Sequence, residues 1–386
     1  MNTEAKLYRN LQIHLDEHTI GFPATESGSD IRLLKQLFHP EEAETATLLT
    51  YKYEALEQIH ERGEKIGKPI KEIERVLDKI AKRGVIGYRE KNGVKQYRNI
   101  PYIVGMLEAG MHQPTPEFIA AHIDYSKDGA FYKDFIKTEV PQMRTIPIEK
   151  SIKIEHHIGS YDAITNIIET TEEPIAILEC ICRNGAERKG NPCKQTSRKE
   201  TCMVFRDGAK NLIDSGHARK LSKEEALDII RKNEEENLVL QPSNAQGPDF
   251  VCSCCGCCCG ILRVHRAVPN PVDIWATNFY AEVNPDLCTG CGICEESCQT
   301  GAMMLDEEEG ISVVDLKRCL GCGLCVTSCQ DEAIELRKKE TEVVPPQTDE
   351  EMFEVIMSNK NQIVNKHKGV KPASLFLNCL SFNICF

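Results

Sequence analysis

Two runs of four cysteines have a spacing that suits metal binding. Each run has the pattern C-x2-C-x2-C-x3-C, and the second follows the first after 31 residues. Thiolates at this spacing can bind three corners of an iron–sulfur cube, while the fourth cysteine ligates the cube of the other run. Zinc sites do not normally use two such runs, so the pattern predicts two 4Fe-4S clusters. The cysteines are Cys288, Cys291, Cys294, Cys298, Cys319, Cys322, Cys325 and Cys329.

The sequences around these runs, DLCTGCGICEESCQTGAM and KRCLGCGLCVTSCQDEAI, resemble the bacterial-type ferredoxin fold with two 4Fe-4S clusters. The resemblance implies a ferredoxin-like domain at about 276–340. One departure is visible: Gln299 and Gln330 stand where a proline usually follows the fourth cysteine. The turn geometry and the reduction potential can therefore differ from those of the resembled ferredoxins, whereas the cysteine ligands should be the same. The resemblance assigns Cys288, Cys291, Cys294 and Cys329 to cluster one, and Cys319, Cys322, Cys325 and Cys298 to cluster two.

Ten further cysteines lie between positions 180 and 259. Four have the layout C-x-C-x10-C-x8-C, and six are crowded into VCSCCGCCCG. Such crowded thiolates predict one or two additional iron–sulfur clusters, with zinc and metal-free buried cysteines as the alternatives. Adjacent side chains in the second stretch point different ways, so its ligands are expected on two sides, toward residues 180–202 and toward the ferredoxin-like repeat. The candidates are Cys180, Cys182, Cys193, Cys202, Cys252, Cys254, Cys255, Cys257, Cys258 and Cys259.

Composition limits the class of protein. The chain has 386 residues, a formal net charge of −12 and 20 cysteines. This charge argues against a general polyanion binder, although residues 1–100 carry a net charge of only about +1. Cysteines grouped at metal-ligand spacing favour a reducing cytoplasm over a disulfide-rich secreted protein. The first residues lack a signal-peptide core, and no stretch approaches the length of a membrane span, so a soluble cytoplasmic protein is expected.

Residues 25–105 are predicted to form a winged-helix domain. The segment KPIKEIERVLDKIAKRG has the apolar spacing of an amphipathic helix, and VIGYREKNGVKQYRNIP predicts two strands joined at Asn92 and Gly93. Acidic residues interrupt the basic face of this helix, and phosphate binding favours uninterrupted positive charge. The domain is therefore expected to dock another protein, with nucleic-acid binding as the alternative. The interrupting residues are Glu72, Glu74 and Asp78.

Residues 106–275 are predicted to form a helical linker and a small α/β domain that carries the central cysteines. Its strand PIAILECIC ends at the first of them, and Ser222 with Glu225 forms a capping box for a later helix. Residues 341–386 are expected to form an appendage with a buried apolar end. The adjacent pair His156 and His157 is interpreted as exposed or structural rather than catalytic.

The order of these segments, with CICR, LVLQPSNAQ and CSCCGCCCG before the ferredoxin-like repeat, resembles a family of 4Fe-4S dicluster proteins of anaerobic bacteria and archaea. The resemblance covers about residues 20–340 and implies an α+β multidomain fold, cluster binding and electron transfer. The sequence has no dinucleotide, P-loop or nucleophile-elbow motif. We therefore expect an electron-transfer protein or oxidoreductase subunit with a redox protein partner. An iron–sulfur enzyme with an open-site central cluster and a redox-sensing regulator are the alternatives.

Overall fold

The computed structural model describes residues 3–110, 114–135, 138, 140–152 and 159–367, with side chains described up to 360. Helices and β-sheets occur together, so the fold is mixed α/β. The His156–His157 pair and the apolar end of the chain lie outside the described residues. Among the residues described, no helix is long and apolar enough to cross a bilayer.

The N-terminal part combines helices with a three-stranded antiparallel sheet of order β1-β3-β2. The expected amphipathic helix is α5, whose apolar residues Ile73, Leu77 and Ile80 are fully buried. The expected hairpin is also present, because Asn92 and Gly93 both adopt the positive φ that a tight two-residue turn requires. The elements are α1 (Thr3–Asp16), α2 (Ser29–Leu37), α3 (Pro40–Ala46), β1 (Glu54–Ala55), α4 (Leu56–Gly63), α5 (Ile70–Lys82), β2 (Gly87–Lys91) and β3 (Val94–Arg98).

Three helices lead from this part into a five-stranded antiparallel sheet of order β6-β4-β5-β8-β7. The linking helices are α6 (Leu107–Gly110), α7 (Pro116–Asp128) and α8 (Ala130–Phe135). The capping box of Ser222 and Glu225 begins α12 as expected. The remaining elements are α9 (Ile164–Thr170), β4 (Ile175–Glu179), α10 (Ile181–Arg188), β5 (Glu200–Phe205), α11 (Arg206–Asp214), β6 (Arg219–Leu221), α12 (Lys223–Glu235), β7 (Val239–Pro242), β8 (Phe250–Cys254) and α13 (Gly260–Ala267).

The sheet brings distant cysteines together at one end. Strand β4 ends immediately before Cys180, and its Leu178 pairs with Cys202 on β5. Strand β8 runs beside β5 and carries Cys252 and Cys254, whose side chains share a face because side chains alternate along a strand. Helices α10 and α13 both begin at this end of the sheet, with Cys180 and Cys259 as their N-cap residues.

The cysteine repeat forms two antiparallel strand pairs and two short helices. Strand β9 pairs with β12, and β10 pairs with β11. Each helix starts directly after a glycine in the left-handed region, Gly292 or Gly323. The elements are β9 (Phe279–Val283), α14 (Ile293–Ser297), β10 (Met303–Asp306), β11 (Ile311–Val314), α15 (Leu324–Ser328) and β12 (Ile334–Lys338).

Helix α16 (Asp349–His367) packs against the rest of the protein instead of standing apart from it. Its Met352 and Ile356 are fully buried, because the apolar face of this amphipathic helix enters the main core. The preceding segment is also held, since the backbone N–H of Gln246 donates to the carbonyl of Pro346 over 2.7 Å. The described part of the expected appendage therefore belongs to the folded body.

A buried ion pair anchors the cysteine repeat to the five-stranded sheet. Arg144 and Asp162 contact each other at 3.3 Å, and each side chain is only 3% exposed. Arg144 donates to the carbonyls of Ser243 and Ala245, while Asp162 accepts from the amide of Asn278 just before β9. The same charged pair therefore connects both parts of the fold.

Candidate metal centres

The two halves of the repeat present their cysteine sulfurs to backbone N–H groups in the same way. The first sulfur of each run accepts from a strand residue, Ser312 to Cys288 at 3.3 Å and Ala281 to Cys319 at 3.4 Å. The fourth sulfur of each run accepts from the residue four positions later, at 3.2 Å for Cys298 and 3.3 Å for Cys329. N–H groups directed at sulfur stabilise the anionic form, which is the form that binds iron.

Contacts connect the two runs of cysteines in both directions. Cys298, from the first run, lines one small cavity together with Cys319, Cys322 and Cys325 of the second run. In the other direction, Thr289 beside Cys288 donates to Asp331 at 2.7 Å, which brings the first loop to the end of the second run. These contacts fit two four-thiolate groups that exchange their fourth member.

Glycine is required next to the first cysteine loop of each run. A Cβ atom on Gly321 would lie 2.2 Å from the carbonyl oxygen of Phe279, and one on Gly290 would lie 2.2 Å from the carbonyl oxygen of Gly310. Both glycines also have positive φ. At both positions, any side chain would clash with the neighbouring backbone. Glycine therefore allows each cysteine loop to pack directly against that backbone.

The two halves differ in their exposure to solvent. Cys291 is exposed, and its neighbours Glu295 and Glu296 are exposed as well. In contrast, burial raises the pKa of the Cys322 thiol to about 12, and the carbonyl of Cys322 accepts from Ile148 of the main body at 3.0 Å. We call Cys288, Cys291, Cys294 and Cys329 the outer group, and Cys319, Cys322, Cys325 and Cys298 the inner group.

Four central cysteines form a compact group, which we call the quartet: Cys193, Cys255, Cys257 and Cys258. Their sulfur atoms all lie within 4.8 Å of one another. The sulfur of Cys193 is 3.5 Å from that of Cys255 and 3.7 Å from that of Cys257, which in turn is 3.6 Å from that of Cys258. Cys193 comes from the loop between α10 and β5, while the others follow β8.

This spacing fits a single tetrahedral metal ion. Four sulfurs bound tetrahedrally at about 2.3 Å from one ion stand about 3.8 Å apart. The quartet distances of 3.5, 3.7 and 3.6 Å are close to this value. A cube holds its four thiolates farther apart, because each binds a different iron atom. The quartet is therefore a candidate site for zinc or a single iron. The expected iron–sulfur cluster at these four residues stays a prediction.

The other six central cysteines form a closed ring of interacting thiols, which we call the hexad. Each thiol influences the pKa of two neighbouring thiols, and this order of neighbours returns to its start. All six line one largely apolar cavity, together with Tyr132, Met203 and Ile261. In ring order the hexad is Cys180, Cys182, Cys259, Cys254, Cys252 and Cys202.

The pKa values of the hexad thiols alternate around the ring. Contacts with neighbouring thiols lower the pKa of Cys180, Cys259 and Cys252, and raise the pKa of the three thiols between them. Burial also raises the pKa of the Glu108 carboxyl, which lines the same cavity, to about 8. At neutral pH Glu108 is thus protonated, so it adds no negative charge beside the thiols.

Arg183 is buried next to both thiol groups. Its guanidinium donates to the hydroxyl of Thr201 and, at 2.9 Å, to the carbonyl of Ser253, while its Nε has no hydrogen-bond partner among the described residues. Burial by itself lowers the pKa of Arg183, but the thiols of Cys180, Cys255 and Cys202 raise it overall. Arg183 is therefore a fixed positive charge near the hexad and the quartet.

Gln299 connects the repeat to the central cysteines. Its side-chain Oε1 accepts from the backbone N–H of Gly256 at 2.7 Å, and its carbonyl accepts from Arg266 at 3.1 Å. Gly256 must be glycine here, because a Cβ atom would lie 2.4 Å from the Gln299 carbonyl oxygen. Gln299 directly follows Cys298 of the inner group, and Gly256 lies between two quartet cysteines. The departure from proline at position 299 thus has a structural role.

The ten central cysteines therefore lie at one end of the sheet but in two groups. The stretch VCSCCGCCCG does divide its cysteines, with Cys252, Cys254 and Cys259 in the hexad and the other three in the quartet. Both groups are completed by cysteines of residues 180–202, so the expected set of ligands toward the ferredoxin-type repeat is not found among the described residues. The side toward the repeat is occupied by backbone, not by a thiol. Sequence reasoning missed Arg183 and Glu108. The one sequence feature that pointed to either residue was the position of Arg183 directly after the C-x-C pair of Cys180 and Cys182.

Comparison with known proteins identifies one segment. Residues 287–333 match the family described as the 4Fe-4S dicluster domain. The chain is also similar to a protein named "Probable ferredoxin" from Methanosarcina thermophila, with 51% identity over 35 residues, which are 9% of this chain and 59% of that protein. No solved structure matches the chain. The cysteine repeat is thus a ferredoxin-type domain with the residues of a 4Fe-4S protein.

Proposed function

We propose that the protein is an iron–sulfur electron-transfer protein, or the corresponding subunit of an oxidoreductase. The observation that carries this proposal is that the inner group of the ferredoxin-type domain adjoins the central cysteines through Gln299 and Gly256. When bound, 4Fe-4S clusters supply reversible one-electron chemistry. The chain contributes two four-thiolate groups, one with Cys298 and one with Cys329 as its crossed member. Electrons would enter at the outer group and leave toward the protein interior.

The residues of the outer group support an entry point for electrons. Exposed apolar residues surround it, with Leu287 50% and Ile293 37% exposed. Exposed carboxylates lie beside them, which suits docking to a redox partner with a basic patch. They are Asp286, Glu295, Glu296, Glu307, Glu308 and Glu309. An apolar centre with a charged rim resembles the interfaces of transient complexes.

The domain organisation belongs to the same proposal. Residues 276–340 are the electron-entry domain, and 106–275 carry the central metal sites. Residues 25–105 are a winged helix that serves for docking, since two cations of α5 and Arg83 directly after it already face carboxylates of α3. Lys79 and Arg83 both pair with Glu42, and Arg75 pairs with Glu41. These pairs disfavour the regulator alternative, because the cations are engaged within the protein.

The quartet has a supporting role in this proposal. Its sulfur spacing suits one tetrahedral ion, and four protein ligands close the coordination sphere as in structural zinc sites. An ion there would fix the turn between β8 and α13, which also supplies Gly256 to the ferredoxin-type domain. An ion in the quartet would thus fix the position of the central cysteines relative to the inner group.

The proposal is tested with full-length protein purified without oxygen. Reduction by dithionite should yield EPR signals of two reduced clusters, and about eight iron atoms should belong to the ferredoxin-type domain. The reduced protein should pass electrons to the basic haem protein cytochrome c, at a rate that falls with increasing salt. A protein without reducible clusters, or without this electron transfer, would contradict the proposal.

A matched pair of charge variants tests the entry point. The double variant Glu295→Gln, Glu296→Gln should slow electron transfer to cytochrome c several-fold at low salt. The control Glu224→Gln removes an exposed carboxylate on α12, away from the cysteine repeat, and should leave the rate unchanged. Equal effects of the two changes would mean that the outer group is not the docking site.

A further inference from the structure

The hexad is a metal-binding site that differs from both the ferredoxin-type groups and the quartet. We infer that its six thiolates bind one iron–sulfur cluster with more than four iron atoms. This inference rests on the number, spacing and surroundings of the thiols. It goes beyond the proposed electron transfer, which requires only the ferredoxin-type clusters.

The number of thiols favours a cluster larger than a single cube. A 4Fe-4S cube accepts four thiolates, one per iron, so a cube would leave two hexad sulfurs without iron. Such leftover thiols would be packed like other buried cysteines. All six hexad cysteines instead line the same cavity, which Cys255 and Cys258 of the quartet also line. A core larger than a cube can use all six hexad thiolates.

The spacing argues against separate metal ions in the hexad. Two zinc ions sharing six cysteines would each need four sulfurs about 3.8 Å apart. Among the described residues, the quartet is the only set of three or more potential ligands whose atoms all lie within 4.8 Å of one another. The hexad is therefore a wider ring than a single ion needs. Sulfide ions placed between the irons would fill that width, as they do in iron–sulfur clusters.

The surroundings compensate the charge of six thiolates. Arg183 is 3% exposed, and its Nε is without a hydrogen-bond partner in the described part of the chain. The N-terminal ends of α10 and α13, each eight residues long, meet at the hexad through Cys180 and Cys259. The positive end of a helix dipole stabilises nearby anions. A buried cation and two helix ends are more than six neutral thiols would require.

A large cleft lies next to the hexad cavity. The cleft has a volume of about 640 Å³ and adjoins the hexad cavity through five shared residues. Two buried polar groups that face it have an atom with no partner in the described structure, Arg98 at Nε and Asp349 at Oδ1. The shared residues are Val104, Glu108, Leu178, Val204 and Phe250.

The test counts metals in full-length protein purified without oxygen. Wild-type protein should contain more than about 12 irons, of which about eight belong to the ferredoxin-type clusters. Native mass spectrometry should show the same surplus as a bound mass. The double variant Cys202→Ser, Cys252→Ser should lose more than four irons and keep the quartet ion, whereas Cys193→Ser, Cys257→Ser should lose that single ion first.

Ser253→Ala is the matched control for the hexad variant. Ser253 lies between Cys252 and Cys254 on the opposite face of β8 and accepts from Asn233 at 2.8 Å. Loss of the Ser253 hydroxyl removes this hydrogen bond and weakens the strand, but it removes no sulfur. The metal content should therefore stay at the wild-type value. A wild-type protein with about eight irons, or a hexad variant that loses four irons or fewer, would overturn the inference. Loss of iron from Cys291→Ser or Cys322→Ser tests the ferredoxin-type clusters separately.

Discussion

The side chain of Gln299 accepts a 2.7 Å hydrogen bond from the backbone N–H of Gly256. Through this contact, the residue after an inner-group cysteine touches the turn that carries the quartet. Gln299 is 3% exposed, whereas Gln330, its counterpart in the second run, is exposed. The two halves of the repeat are therefore not equivalent, and only the first run is connected to the central cysteines by its glutamine.

We expect Gln299→Ala to weaken this connection without removing a cluster. The variant leaves the buried N–H of Gly256 without its partner, which costs about 1–3 kcal/mol. The unfolding temperature should fall, and electron transfer from the ferredoxin-type domain to the central sites should slow. Iron analysis, thermal unfolding and stopped-flow reduction measure the three effects. Gln330→Ala is the control, and an equally large effect there would contradict a specific role for Gln299.

Cys291→Ser and Cys322→Ser should each remove about one cube of iron, but with different effects on stability. Cys291 lies in the exposed outer group and Cys322 in the inner group beside Ile148. Because metal binding supports folding, loss of the inner cluster should also loosen the contact with the main body. Iron content and protease sensitivity of the two variants measure this difference. Full retention of iron in either variant would exclude the ligand assignment.

The outer cluster should also be the first that wild-type protein loses in air. Oxygen reaches a solvent-exposed cluster more easily than one covered by protein. Iron release from wild-type protein should therefore leave, at intermediate times, a species that resembles the Cys291→Ser variant in its EPR spectrum. Simultaneous loss of both clusters would show that exposure does not control their stability.

The sequence predicted the parts of the fold that depend on local patterns. The cysteine repeat, the Asn92–Gly93 hairpin and the capping box at Ser222 are all present because each is determined by neighbouring residues. The division of the central cysteines could be predicted only in part. Cys252 and Cys254 share a face through the two-residue period of a strand. The partners of Cys255, Cys257 and Cys258 depend on how the turn after β8 meets Cys193, more than 60 positions earlier in the chain.

Other features lie beyond sequence patterns altogether. The hexad forms because β4, β5 and β8 are adjacent in the sheet, which places Cys180, Cys202 and Cys252 side by side. Strand order is a property of the tertiary fold, and the spacing between these cysteines does not encode it. The packing of α16 is similar, since its apolar face could be seen in the sequence but its partner surface could not.

The buried pair of Arg144 and Asp162 should be important for stability. Arg144→Met would leave the Asp162 carboxylate buried without its cation, at a cost of about 3–5 kcal/mol. The exposed pair of Lys210 and Asp214, at 3.2 Å, is a suitable control. Lys210→Met should cost less than about 1 kcal/mol, because solvent screens exposed charges. Denaturant unfolding of both variants measures the difference, and similar losses would argue against a structural role for the buried pair.

His265 should make stability depend on pH. The ring is 2% exposed, and burial lowers its pKa from the ordinary value of 6.5 to about 3. The folded state keeps the ring neutral, while the unfolded state takes up a proton below pH 6.5. Stability is therefore lost as pH falls through this range, by about 1 kcal/mol at pH 5.5.

His265→Phe should remove this contribution while preserving the packing against Trp275, whose ring lies 4.3 Å away. Its free energy of unfolding should change less between pH 7.5 and pH 5.5 than that of the wild type. His39→Phe, at an exposed position, is the control and should behave as the wild type does. An unchanged pH dependence in His265→Phe would exclude His265 as its source.

Helix α5 should not bind DNA strongly, because its Arg75 and Lys79, and Arg83 directly after it, are engaged in ion pairs. Arg83 contacts Glu42 at 2.6 Å and Lys79 contacts the same carboxylate at 2.9 Å. Fluorescence titration with DNA from upstream of the gene should therefore show weak binding at physiological salt. Glu41→Gln with Glu42→Gln would release these cations, and non-specific affinity should rise with a steeper salt dependence. Tight, sequence-selective binding by the wild-type protein with its clusters intact would instead support a regulator.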